Sequence, residues 1–244
     1  MKTNLTLAGK FSSQFLWQLL TQNIRINEIG MKNCRLAILG VGCIEASPLE
    51  AVRASVEIVY SHWRAIDVKD SIVVDVGAFI GDSALLFVSK GAKRIYAFEP
   101  SPRFFRLACH NLRRHKNVIV ENIGIGGWNR TTKLSGNLMG KHLSETGDET
   151  AYIVSAKEVI ERVVKKEGKI DLLKIDCEGF EFEIFESLAA DDLYYVKSIC
   201  VEIHSSHENA DKLEKKISSR GYKLIERTSD FGIVSSNCYF KSVR

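Results

Sequence analysis

The spacing of hydrophobic positions changes near residue 70. Before it, Phe11, Phe15, Leu16, Leu19, Leu20 and Ile24 recur every three or four residues, which predicts an amphipathic helix over 11–29. Leu36 to Leu39 is a short apolar run stopped by Gly40 and Gly42. A second helical pattern starts near Pro48, a residue suited to a first helical turn, and carries Val52, Val56, Val59, Tyr60 and Trp63. Residues 1–65 therefore read as an N-terminal helical extension, either packed on a core or closing over a pocket as a lid.

Beyond residue 70 the pattern becomes rhythmic. Short apolar runs at 72–76, 94–98, 118–120, 170–175 and 198–203 predict five strands. Helical stretches follow at 83–90, at 102–115, through Phe182, Phe185 and Leu188, and at about 206–219, and two late strands occupy 223–227 and 232–241. Runs without polar alternation imply parallel strands covered on both faces. Residues 66–244 thus predict a doubly wound α/β sheet. The interval 128–155 breaks the rhythm: Gly136-Asn137, Gly140 and the polar stretch from Ser144 to Thr150 read as a hairpin plus a mobile loop beside the active edge.

Composition narrows the class. Of 244 residues, 45% are hydrophobic, enough to bury a core without staples. With 3 prolines and 17 glycines the chain is neither collagen-like nor a Pro/Gly-rich disordered segment. The net charge of +4 is too balanced for a nucleic-acid arm or a polybasic membrane anchor. The 6 cysteines include no CxxC pair, which argues against zinc and for reduced, buried thiols. The first ten residues lack an apolar stretch long enough for a secretory signal, and no run approaches a membrane span, so the expected location is cytoplasmic.

The most informative segment is Val73-Val74-Asp75-Val76-Gly77-Ala78-Phe79-Ile80-Gly81-Asp82-Ser83. A buried strand turns at once into a helix, and Gly77 and Gly81 remove side chains where a ligand must approach the backbone. The helix that begins at Asp82 and Ser83 offers N–H groups to a carboxylate or phosphate. Glu99 ends the next strand, near the roughly 20-residue offset at which an acid binds a ribose diol. A dinucleotide fingerprint needs a second glycine after Gly77, where this chain has Phe79. S-adenosylmethionine, with a ribose, a sulfonium and an amine but no phosphate, fits better, and Asp75 suits the amine.

Taken together, Val74–Ser83, Ala97-Phe98-Glu99-Pro100, Asp171-Leu172-Leu173-Lys174-Ile175-Asp176-Cys177-Glu178-Gly179-Phe180-Glu181 and Val201-Glu202-Ile203-His204 resemble the FkbM-type family of S-adenosylmethionine-dependent methyltransferases. The resemblance covers roughly residues 70–205. It implies a Rossmann-like class I methyltransferase, with a mostly parallel seven-stranded sheet, helices on both faces and an antiparallel final strand. It also implies O-methylation of a small molecule or sugar. By position it assigns Asp75, Gly77 and Gly81 to the methionine end and Glu99 to the ribose, with Asp82, Ser83 and Asp176 completing the cofactor set. Asn122 begins a segment that reads Asn122-Ile123-Gly124-Ile125-Gly126-Gly127, with glycine where an aspartate commonly stands, so Asn122 or a backbone amide serves the adenine.

Strand alternation puts Lys174, Asp176 and Glu178 on one face, and Glu202 and His204 on one face of the next strand. Three readings of this cluster stay open: His204 or Asp176 as a general base, Asp176, Glu202 and His204 as ligands of a divalent ion, or Lys174 pairing with Asp176 or Glu202 in a self-satisfied network. His204, Asp176 and Lys174 are the candidate catalytic residues, and Glu178, Glu202 and His142 the candidate substrate contacts; no metal is assigned. Alternative functions are an RNA or protein methyltransferase and a non-catalytic S-adenosylmethionine-binding module. Nucleic acid is disfavoured because Arg103, Arg106, Arg113, Arg114 and Lys116 carry no interleaved aromatic stripe.

Overall fold

Ile72-Val73-Val74-Asp75-Val76 is buried along its whole length, as a strand covered on both faces must be. The computed structural model describes residues 24–29, 34–38, 40–47, 50, 51, 53–55, 58, 62–137, 140–143, 149–229 and 235–244. Its strands are β1 (Ile24–Ile29), β2 (Cys34–Ile38), β3 (Gly42–Ala46), β4 (Ile72–Val76), β5 (Arg94–Phe98), β6 (Val118–Glu121) and β7 (Gly124–Gly126). They continue as β8 (Arg130–Asn137), β9 (Gly140–Leu143), β10 (Glu149–Ser155), β11 (Leu172–Ile175), β12 (Ser198–His204), β13 (Tyr222–Ser229) and β14 (Ser235–Ser242). Helices span Asp82–Ser89, Pro102–Leu112, Ala156–Glu167, Glu181–Ser187 and His207–Ser219.

The main sheet has seven strands in the order β13-β14-β12-β11-β4-β5-β6. β6, β5, β4, β11 and β12 are parallel to one another, and β14 enters antiparallel between β12 and β13. This is the mostly parallel, Rossmann-like sheet the sequence predicts. Period-two alternation divides its side chains between two cores. Ile72, Val74 and Val76 join Val159, Ile184 and Leu213 from three helices on one face. Val73 joins Leu85, Phe87 and Phe104 on the other. Local signals set the helix ends: Ser155 accepts from the Glu158 N–H at 3.2 Å, and Gly168 stops that helix at φ 80.

The N-terminal region departs from the helical reading. Ile24–Ile29 is a strand, paired antiparallel with β2, which pairs antiparallel with β3. Ile24 and Ile26 alternate with Arg25 and Asn27, a period of two that the helical spacing of the preceding leucines masks. The remainder of that predicted helix, 11–23, lies outside the described residues. Helix is present at 50, 51, 53–55 and 58, as the pattern after Pro48 predicts. Cys34, Leu36, Ile38, Ile44 and Ala46 share a core with Leu85 and Phe104, so this small sheet packs on the helices of one face.

The interval 128–155 is also more ordered in outline than a hairpin and a loop. β8 and β9 are the hairpin, and β10 joins them in a four-stranded sheet of order β7-β10-β8-β9. Residues 144–148 of the predicted loop lie outside the described residues. All six cysteines are free, and Cys43 is exposed rather than buried. Among the described residues no helix is long and apolar enough to cross a membrane.

Candidate active site

Three strand ends meet at the carboxyl edge of the sheet, where α/β folds bind ligands. β4 ends at Gly77, held at φ 80. A Cβ there would overlap the main-chain carbonyl oxygen of Asp176, so only glycine lets the β4 and β11 ends close on each other. The Gly77 and Ala78 N–H groups both donate to the Phe98 carbonyl at 3.0 Å. Phe79 follows at φ 46, and its N–H donates to Glu99 Oε2 at 2.9 Å. Glu99 Oε1 accepts from the Ser101 N–H at 2.9 Å.

Each oxygen of Glu99 is thus anchored by one backbone donor and keeps lone-pair capacity for a ligand. Glu99 lies on the wall of a cavity with Phe98, Phe104, Ile125, Leu134, Ile153 and Phe180. Burial pushes its pKa up to about 8, against the pull of the Ser101 and Phe79 N–H groups. The polar side of the same wall sets four carboxylates, Asp82, Glu99, Asp176 and Glu178, against two cations, Arg53 and Lys174. An apolar wall suits a base, the anchored acid suits a diol, and the excess of carboxylates suits a cation. A diphosphate would meet the carboxylates of Asp82, Asp176 and Glu178. The residues present therefore fit S-adenosylmethionine.

Strand register explains the next layer. Lys174 on β11 lies opposite Asp75 on β4, so the two side chains leave the sheet on one face. Lys174 Nζ lies 3.0 Å from Asp75 Oδ1 and 3.5 Å from Asp176 Oδ2, and donates to the Gly77 carbonyl at 2.8 Å. Burial opposes its charge, but Asp75 and Asp176 outweigh burial and raise its pKa. Lys174 is a fixed cation that ties β4 to β11 and accepts no proton. Asp75 also accepts from Ser83 Oγ at 2.6 Å.

His204 ends β12. Its Nδ1 lies 2.9 Å from Glu181 Oε1, and its Nε2 lies 3.5 Å from Glu202 Oε1, 3.7 Å from Glu178 Oε2 and 3.9 Å from Asp176 Oδ1. Burial works against a positive imidazole, but the Glu181 hydrogen bond and the Asp176, Glu181 and Glu202 charges outweigh it and raise the pKa to about 9. The shift favours the protonated ring, which donates to the surrounding carboxylates. Asp176 and Glu178 are both on the cavity wall.

Of the sequence-predicted cofactor residues, Gly77, Asp82, Ser83, Glu99 and Asp176 line the cavity. Asp75, Gly81 and Asn122 lie off its wall. Asp75 is fully buried behind Lys174 and Ser83. Gly81, at φ 91, sits so close to Leu112 that a Cβ would press on its side chain. Asn122 Nδ2 donates to the Glu99 and Pro100 carbonyls at 2.9 and 3.0 Å, fixing the loop that carries Glu99. Lys174 and Glu178 line the cavity, and Glu202 and His204 lie behind it, against Asp176 and Glu178. His142 is paired with Ser135 in the β8–β9 hairpin, and its side chain lies outside the described residues. Arg53, Leu134, Ile153 and Phe180 are wall residues the sequence reading missed. For Ile153 a signal existed in the alternation of buried Ala151, exposed Tyr152 and buried Ile153.

Comparison with known proteins places this site in context. The family model described as the methyltransferase FkbM domain matches residues 75–224. Among curated proteins, the chain is 25% identical over 234 aligned positions to the AMB antimetabolite synthetase AmbE of Pseudomonas aeruginosa, covering 75% of this chain. The chain spans only 11% of the length of that relative. Among solved structures, the fibrillarin pre-rRNA processing protein of Methanococcus jannaschii superposes with a TM-score of 0.53 at 14% identity, covering 91% of this chain and 99% of that one. A candidate RNA methyltransferase of Pyrococcus horikoshii gives a TM-score of 0.50 at 13% identity over 79% and 84% of the two chains. Both structural likenesses concern the fold.

Proposed function

The chain belongs to the FkbM methyltransferase family, whose members use S-adenosylmethionine, and on that premise we propose that it methylates a hydroxyl oxygen of a small molecule or sugar. The observation that carries the cofactor part of this reading is the Glu99 carboxylate, braced by the Phe79 and Ser101 N–H groups at the cavity wall. When bound, S-adenosylmethionine supplies a sulfonium methyl: the acceptor oxygen forms the C–O bond, the C–S bond breaks, and sulfur keeps the electron pair. Glu99 would hold the ribose diol. Asp82 would meet the ammonium group, and the start of the Asp82–Ser89 helix would meet the carboxylate.

Lys174 keeps Asp176 and the Gly77 carbonyl in place, and Asp176 or Glu178 takes the hydroxyl proton. Because a sulfonium leaves readily, holding the acceptor in line contributes more than a strong base. Arg53 Nη2 reaches Glu178 at 3.3 Å and its guanidinium lies 5.1 Å from the Phe79 ring centroid. That contact supports the N-terminal region as a lid over the acceptor side.

The test is release of S-adenosylhomocysteine from S-adenosylmethionine with a panel of hydroxylated acceptors, sugars included. We expect turnover with at least one class and a loss of about 100-fold in Asp176→Asn. Binding of the cofactor with no turnover on any acceptor would favour a non-catalytic module. Salt-sensitive binding and methylation of RNA would favour the RNA reading, for which Arg106, Arg113, Arg114 and Lys116 are exposed.

A further inference from the structure

Asp176, Glu202 and His204 each offer one ligand atom, and these atoms lie within 4.8 Å of one another. The arrangement around His204 Nε2 is unusual for a finished salt-bridge network. Three carboxylate oxygens, from Glu202, Glu178 and Asp176, surround it at 3.5 to 3.9 Å. Such lengths mark ion pairs rather than good hydrogen bonds. Ligand atoms at right angles around a small divalent ion, with bonds of about 2.1 Å, lie roughly 3 Å apart. From separations within 4.8 Å, the cluster would have to contract by up to about 1.8 Å to hold one.

A separate observation concerns Glu181, which is wholly buried. Its Oε1 accepts from the Cys177 and Gly179 N–H groups at 3.3 and 3.1 Å and meets His204 Nδ1 at 2.9 Å. Its Oε2 is buried with no hydrogen-bond partner among the described residues. The His204 ring stands beside this carboxylate as its positive partner. A carboxylate on Nδ1 that aims Nε2 outward is also how metal-bound histidines are oriented.

We infer that Asp176, Glu202 and His204 form a divalent-cation site beside the cofactor cavity, the ion taking the Nε2 lone pair as that nitrogen's proton passes to solvent, and that the acceptor hydroxyl oxygen completes its coordination. The inference rests on the methyltransferase reading for the identity of that oxygen, but not for the binding of the ion. A mixed imidazole and carboxylate set favours a transition ion such as Mn2+ over Ca2+. The ion lowers the pKa of the bound hydroxyl. With Asp176 engaged, the proton goes to Glu178, the oxygen takes the methyl carbon, and the C–S electron pair stays on sulfur. The site explains why four acidic side chains converge on one imidazole at the strand ends.

The experiment is titration of the full, chelator-treated chain with Mn2+, followed by electron paramagnetic resonance and calorimetry, with S-adenosylhomocysteine binding measured on the same samples. We expect one Mn2+ per chain, bound at least tenfold more weakly in Glu202→Gln and in Asp176→Asn. Melting temperatures confirm that each variant is folded, and either variant suffices if the other is not. Absence of Mn2+ binding at millimolar ion with S-adenosylhomocysteine present would overturn the site, as would unchanged affinity in a folded variant. Failure of S-adenosylhomocysteine to bind would instead strike the methyltransferase reading, and the Mn2+ titration is read independently of it.

Discussion

The two ends of the cavity are built differently. The nucleoside end, where β4 and β5 finish, is fixed by the main chain: Gly77 and Ala78 donate to the Phe98 carbonyl, and Phe79 and Ser101 donate to Glu99. The acceptor end, where β11 and β12 finish, is fixed by side-chain charge: Lys174, Asp176, Glu178, Glu202 and His204 hold one another in place. Main-chain bonds cannot be retuned by substitution, whereas a charge network can be altered one residue at a time. The contrast fits the proposal of a constant cofactor at the first end and a variable acceptor at the second.

The comparison is broken most severely where the two ends touch. Gly77→Ala would drive a Cβ into the Asp176 carbonyl, and we expect a destabilisation of about 5 kcal/mol, read as a shift in the urea midpoint. An unshifted midpoint would mean that the strand ends have room to spare. Lys174→Met leaves Asp75 buried without its cation, and should destabilise by about 3–4 kcal/mol. Adding Asp75→Asn should recover part of that loss, because the stranded charge is then gone. If the double variant is no more stable than the single one, the pair is not the tie between β4 and β11.

A gentler perturbation acts on the nucleoside end alone. Glu99 has a pKa of about 8 in the cofactor-free protein against 4.5 for an ordinary glutamate. Between these values the folded state holds a proton that the unfolded state has lost, so stability falls as pH rises. The contribution is complete below about 4.5 and is lost as pH passes through about 8. Melting temperatures of cofactor-free wild type and Glu99→Gln, taken from pH 5 to pH 9, should show the wild type declining relative to the variant. Parallel curves would contradict the burial that raises this carboxyl.

How legible each region was in the sequence follows the same division. The β-branched and apolar runs of β4, β5, β11 and β12, broken only by single polar residues such as Asp75 and Lys174, announce buried parallel strands, and Gly77 and Glu99 are recognisable from their places at strand ends. β1 was hidden because Ile24 completes a helical spacing begun by Leu16 and Leu20, while its true partners on β2 are set by pairing. β7 is only three residues long and β10 begins at the edge of a polar stretch, and the Ala156–Glu167 helix has no glycine loop to mark it. The roles of Asp75 and Lys174 depend on β11 lying beside β4, a neighbourhood created by topology and not by spacing along the chain. Glu181 was quoted in a motif, but its grip on His204 depends on a helix meeting a strand end.

The central claim is that Glu99 receives the ribose of an S-adenosyl ligand. Calorimetric titration of S-adenosylhomocysteine into wild type and Glu99→Ala tests it most directly. The account predicts one site per chain, weakened at least tenfold in the variant, since two hydrogen bonds to the diol, each contributing about 0.5–1.5 kcal/mol, are lost. Equal affinity in the two proteins, or no binding to the wild type, would contradict it.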